Sequence, residues 1–199
     1  MDVLNIAAGK MPPLNDMMKK DQGNLIVNLD QIYYDDVTPK HIESYYHQKP
    51  THPQNDTIFY CNEDVFKFLE RTVMNFDLVT MYRFLEHVSF TQLLYFIYLV
   101  STAVRLGGVV DIIVPNYHTL AEMLLQDSVD DPEFEERNIL LTTELLNEPS
   151  CPHASIWTPQ RAIYFWEFEG RFTVDENTID PHFVYDGRNI YLRFQAKRS

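Results

Sequence analysis

Short apolar runs rich in β-branched and aromatic residues recur along the chain at Val3–Ile6, Leu25–Leu29, Thr57–Tyr60, Phe76–Met81 and Val109–Val114. Each is bounded by turn-formers or charge. Runs that are continuous rather than alternating predict strands buried on both faces, as in a parallel sheet. The segments between them are long enough for crossovers, and Phe90–Leu106 has the length and composition of a helix closed by Gly107-Gly108. This β, α, β order predicts helices packed on the faces of an open sheet.

The texture changes after Pro115. Residues 122–148 carry nine acids against a single Arg137, with leucines and Phe134 interleaved. Two amphipathic helices are expected there, the second opened by Asp131 as cap and Pro132 in its first turn. The region 117–148 reads as an acidic helical insert, either a solvated face or a lid over a site. Thr158-Pro159 predicts a helix through Glu169, ended by Gly170. A hairpin follows, with arms Arg171–Thr178 and Asn189–Gln195 turning near Asp186-Gly187. The expected fold is one α/β domain over 1–199, a mostly parallel sheet finished by antiparallel strands.

Composition narrows the function. With 199 residues, 45% of them hydrophobic, the chain can bury a real core. Its most apolar run, residues 93–100, is far shorter than the roughly 18 residues that span a bilayer. No basic segment precedes an apolar one at the start, so a cytoplasmic protein without membrane association is expected. Cys61 and Cys151 are expected to be free thiols. The balance of 29 acids against 16 bases, net −13, repels phosphate backbones and argues against a broad nucleic-acid interface. No metal site is expected, because His41, His47 and His52 lack zinc-ligand spacing and Cys151-Pro152-His153 lacks a second ligand pair.

A strand, a small-residue turn and an acid about 20 residues later form the signature of a nucleotide-type ligand. Here Ala7-Ala8-Gly9 ends the first run, and Asp30 follows Gly9 by 21 residues (30 − 9) at the end of the second.

The stretches LNIAAGK (4–10), VNLD (27–30), NEDVFKFL (62–69), FDLVTMYRFLEHV (76–88) and LGGVVDIIVPN (106–116) cover most of the first 120 residues. In this order they resemble class I S-adenosylmethionine-dependent methyltransferases of the small-molecule type, with LNxGxGK on the first strand and FDxxxxxxxLEHV on the fourth. The resemblance implies a Rossmann-like sheet in which Asn5, Ala7, Ala8 and Gly9 floor the methionine part of the cofactor. It implies that Asp30, with Gln31 beside it, accepts from the ribose hydroxyls. Asp64 would accept from the adenine amino group, the backbone at Val65 would meet a ring nitrogen, and Met81 and Tyr82 would line the methionine pocket. Ala7 departs from the pattern by standing where the family's first glycine falls; a negative φ with its methyl turned away is expected. Because strand one begins almost at Met1, the site is expected to be open or closed by the 117–148 insert.

Glu86-His87 follows the fourth strand, at the edge where ligands bind such sheets. Histidine titrates near neutrality, so His87, paired with Glu86, is the candidate base; a helix-start histidine bonded to backbone is the plainer alternative. By resemblance, His153, Trp157 and Arg161 face the acceptor. The implied activity is methylation of an oxygen or nitrogen on a small or sugar-like acceptor. The alternative is a catalytically inactive binding or scaffold protein of the same fold, and a protein partner or homo-oligomer stays open. A nicotinamide-dependent oxidoreductase is disfavoured, because AAGKMP is not GxGxxG.

Overall fold

The structure, a computed structural model, describes residues 1–7, 23–30, 56–125, 153–185 and 187–199. Ala8, Gly9, Gln31, Cys151 and the expected helix opening at Asp131 lie outside them. Seven strands form one sheet: β1 (Asp2–Ile6), β2 (Leu25–Leu29), β3 (Thr57–Cys61), β4 (Phe76–Tyr82), β5 (Val104–Pro115), β6 (Phe172–Tyr185) and β7 (Arg188–Arg198), in the order β3-β2-β1-β4-β5-β7-β6. The first five are parallel, whereas β7 runs antiparallel to both β5 and β6. This is the architecture the hydrophobic pattern predicts.

Helix α1 (Val65–Arg71), a 3-10 turn (Leu85–His87), α2 (Phe90–Ala103), α3 (Tyr117–Leu125) and α4 (Pro159–Glu167) complete the described elements. Helix α2 buries Leu93, Phe96, Ile97 and Val100, the i, i+3, i+4, i+7 stripe of a helix on a sheet. These meet Leu4, Ile6, Leu29, Val79 and Met81 from the sheet, with Phe68 of α1 and Trp166 of α4, in the main core. Each large side chain buried there stabilises the fold by about 1.5–3 kcal/mol. Among the described residues no helix is long and apolar enough to cross a membrane.

Several boundaries differ from expectation. Helix α2 ends at Ala103, not Leu106, because Val104 already pairs with Phe76. The next pair is Leu78 with Val109, so residues 105–108 bulge out and the two glycines belong to the strand. Gly107 takes φ +77, and a Cβ on Gly108 would stand 2.8 Å from Val104 Cγ1 and 2.9 Å from the Arg105 carbonyl. The glycine pair serves the bulge, not a helix cap. Helix α4 ends at Glu167, two residues early, and β6 and β7 extend beyond the arms expected for the hairpin.

The opposite face of the sheet carries a polar row. Register places Asn28, Asn5, Thr80, Asp111 and Gln195 side by side across β2, β1, β4, β5 and β7. Asn5 Nδ2 donates to Asn28 Oδ1 (2.7 Å) and Thr80 Oγ1 donates to Asn5 Oδ1 (2.6 Å). Asp111 accepts from Arg193 and Gln195 of β7 and from the Tyr82 hydroxyl. Buried polar groups persist in a core when they are paired in this way.

Candidate active site

The chain moves from β1 outward to β2 and β3, then returns to place β4 on the other side of β1. Such a reversal opens a crevice outside the carboxyl ends of the two central strands. Ile6 pairs with Leu29 on one side and Met81 on the other, so the next positions, Ala7, Asp30 and Tyr82, share one level of that edge. The buried Asp30 is held there by its own N–H, which donates to the Cys61 carbonyl at 3.0 Å.

Ala7 corrects the expectation of a negative φ: its φ is +53, in the left-handed region. Arg83, just past β4, has φ +55. Among the described residues these are the two non-glycine positions with positive φ, and both lie at the crevice. The chain turns sharply as it leaves each central strand, through left-handed backbone that is uncommon in L-residues. Arg83 is fixed by its N–H to the Ile113 carbonyl (2.8 Å), and its guanidinium lies 5.7 Å from the Tyr191 ring centroid.

The other candidates fall into three groups. Asn5 is a structural member of the polar row, and Met81 is fully buried in the main core, so its side chain is core. Tyr82 points to the opposite face, donating its hydroxyl to Asp111 Oδ2 at 2.7 Å with its ring edge-on to Tyr185. Asp64 caps α1, its carboxylate accepting from the Lys67 N–H at 3.1 Å, and Val65 opens that helix against the core.

Glu86, His87 and His153 come together, although 66 residues (153 − 87) separate the two histidines. The Glu86 carbonyl accepts from the N–H groups of Ala154 (2.7 Å) and Ser155 (2.9 Å), while Ser155 Oγ donates to the Leu85 carbonyl. These bonds stitch the segment before α4 to the turn after β4. The two imidazoles lie edge to face, centroids 5.0 Å apart, and His87 Nε2 stands 4.0 Å from a carboxylate oxygen of the fully buried Glu86. One ligand-type atom from each of the three residues lies within 4.8 Å of the others. The missing ligand pair inferred for His153 from local spacing is therefore supplied in space by the turn after β4. Tyr117, the first residue of α3, places its hydroxyl 2.8 Å from His153 Nδ1.

Trp157 reaches this cluster through its backbone, its carbonyl accepting from the Tyr117 N–H at 3.1 Å. Trp157 is fully buried, donates Nε1 to Ser155 Oγ and packs on Phe194. Arg161 is exposed beside Phe90 and donates to the Ile156 carbonyl. Tyr117 is not marked by any local motif; the available signal was its place, two residues after the carboxyl end of β5. At Cys61, closing β3, burial first and the Glu63 charge second push the thiol up to about 11.

No known family signature matches the chain, and no curated protein matches it in sequence. Solved structures do match. One described as a possible exported protein from Bordetella parapertussis superposes with a TM-score of 0.59 at 16% identity, over 99% of this chain and 61% of that one. The chain thus spans less than two thirds of that protein. A SAM-dependent methyltransferase from Methanosarcina mazei gives 0.53 at 14% identity over 99% of this chain and 92% of that one. The 1,6-didemethyltoxoflavin-N1-methyltransferase of Burkholderia thailandensis, bound to 1,6-didemethyltoxoflavin and S-adenosylhomocysteine, gives 0.54 at 11% identity over 100% and 71%. Strand order, crevice and these likenesses establish that the chain has the fold of class I S-adenosylmethionine-dependent methyltransferases, a mostly parallel α/β sheet finished by an antiparallel hairpin.

Proposed function

We propose that the protein is an S-adenosylmethionine-dependent methyltransferase acting on an oxygen or nitrogen of a small or sugar-like acceptor. The observation that carries this reading is the shared edge of Ala7, Asp30 and Tyr82 at the reversal of strand order. The edge fits the cofactor: Ala7 offers backbone bearing a single methyl group, and Asp30, one strand away, offers an acceptor-only carboxylate suited to two hydroxyls. Asp64, between β3 and α1, has Oδ1 engaged in capping α1 and is the proposed acceptor from the adenine amino group.

When bound, the cofactor supplies an activated methyl group on a sulfonium. This chain's residues hold the acceptor in line and remove its proton. His87 is the proton acceptor, and the buried Glu86 beside it stabilises the imidazolium that forms. The net charge of −13 favours small acceptors over polyanions.

Asp30→Ala tests the reading. A charge-assisted hydrogen bond is worth about 1.5–3 kcal/mol, so calorimetric affinity for S-adenosylmethionine should fall about tenfold to 150-fold in a protein that stays folded. Unchanged affinity would remove Asp30, and with it the proposed edge, from the site.

A further inference from the structure

We infer that Glu86, His87 and His153 form a binding site for a divalent transition cation of the zinc type, with Tyr117 as the residue that positions the His153 ring. Binding of the ion stands on its own, whereas its task rests on the methyl-transfer reading above. Two imidazoles and a carboxylate are a donor set that suits zinc and its transition-metal neighbours better than magnesium or calcium. One ligand-type atom of each residue lies within 4.8 Å of the other two. Local spacing argued against a metal because the ligands sit on two segments that only the fold brings together.

Backbone contacts fix the scaffold under the three side chains. The Glu86 carbonyl accepts from Ala154 and Ser155, the Tyr117 N–H donates to the Trp157 carbonyl, and a bridge between Asn116 and Trp157 ties the end of β5 to the same segment. Neighbouring ligands around zinc stand about 3.4 Å apart, so the 4.0 Å between His87 Nε2 and Glu86 Oε1 must close by about 0.6 Å. Both rings are half-buried, which leaves the ion a way in and the rings room to turn. On binding, the contacts these groups make with one another and with their neighbours give way to coordination.

Two further observations favour a cation. Glu86 is fully buried, and a buried carboxylate needs a compensating positive charge; the imidazole beside it supplies one only when protonated, whereas a divalent ion supplies it outright. The Tyr117 hydroxyl meets Nδ1 of His153 at 2.8 Å, the kind of outer contact that orients a ligating imidazole.

With the ion bound, His87 gives its lone pair to the metal and no longer serves as the proton acceptor. One carboxylate and two neutral imidazoles leave positive charge in excess, which favours loss of a proton from an acceptor hydroxyl or amine beside it. That proton leaves to water and its bonding electrons stay on the acceptor atom. A lone pair of that atom forms the bond to the methyl carbon, and the electron pair of the carbon–sulfur bond stays on sulfur.

The test needs no acceptor. The full chain, stripped with chelator, is titrated with zinc against a chromophoric chelator, and its metal content after dialysis is measured by mass spectrometry. Binding of a single zinc is expected. Tyr117→Phe should weaken it about 10-fold to 100-fold and shift the visible spectrum of the cobalt-substituted chain. His153→Gln and Glu86→Gln should weaken it further, with circular dichroism checking each fold; if the buried Glu86→Gln does not fold, His153→Gln decides. No zinc bound by the unaltered chain, or equal affinity in His153→Gln, would overturn the site, the second result placing the ion on other residues. Zinc binding without calorimetric binding of S-adenosylmethionine sinks the methyl-transfer reading and leaves the site. Binding of S-adenosylmethionine without zinc sinks the site alone and keeps His87 as the proton acceptor.

Discussion

Replacing Arg193 by methionine should be among the most damaging single changes to the sheet. Asp111 has no exposure and accepts from Arg193 Nε (3.1 Å), Arg193 Nη2 (3.0 Å), Tyr82 Oη (2.7 Å) and Gln195 Nε2 (3.3 Å). Methionine preserves most of the apolar stem but removes the charge that compensates the carboxylate. Breaking a buried pair from one side costs about 3–5 kcal/mol. With a urea dependence of about 2–3 kcal/mol per molar for a chain this long, the midpoint of unfolding should fall by about 1–2 M. Adding Asp111→Asn to Arg193→Met removes the stranded charge and should recover at least about 1 kcal/mol of that loss. The readout is equilibrium urea unfolding followed by fluorescence and circular dichroism together. A single-variant loss below about 1 kcal/mol, or a double variant no better than the single one, would show that the pair does not hold β5 to β7. Tyr82 is tied to the same carboxylate, so the variant also asks whether β7 helps set the ligand edge.

Ala7→Gly should stabilise the protein by about 0.5–1 kcal/mol. Release from left-handed backbone is worth about 1–2 kcal/mol and exceeds the roughly 0.4–1 kcal/mol that glycine adds to unfolded-state freedom; a lower unfolding midpoint would contradict the strain. Asp64→Asn should keep the cap of α1 and lose affinity for adenosine, whereas Asp64→Ala should in addition cost about 1 kcal/mol of stability. Equal adenosine affinity in Asp64→Asn and the unaltered protein would remove Asp64 from the adenine site. The Cys61 thiol, raised to about 11 in the fold, contributes stability that is present below its unfolded value near 8.5 and lost as pH climbs toward 11. Urea midpoints at rising pH should therefore drop less steeply in Cys61→Ala; identical alkaline slopes would refute the assignment.

β1, β2, β4 and the inner part of β5 were legible because they are short, mostly apolar and rich in β-branched residues, the consequence of burial on both faces; the edge strand β3 shares that composition although it alternates half-buried and exposed positions. Asp30 was legible for a similar reason, since it ends such a run at a spacing that topology turns into adjacency. Gly107-Gly108 misled because a glycine pair after an apolar helix signals a cap, and only pairing of Val104 with Phe76 shows that the strand has already begun. The polar row was hidden because its members meet partners 23 to 84 residues away, beyond any local periodicity. The same holds for the histidine cluster: spacing excluded His153 as a partner of anything nearby, and hydrogen bonds from Ala154 and Ser155 to Glu86 bring it to His87. The positive φ of Ala7 could have been anticipated, because the resembling pattern has glycine at that position.

Calorimetric titration of the purified chain with S-adenosylmethionine, S-adenosylhomocysteine and, as a control, NAD tests the central claim most directly. The account predicts saturable one-to-one binding of the first two and none of the third. Absence of binding by both sulfur ligands, or binding of NAD in their place, would contradict it.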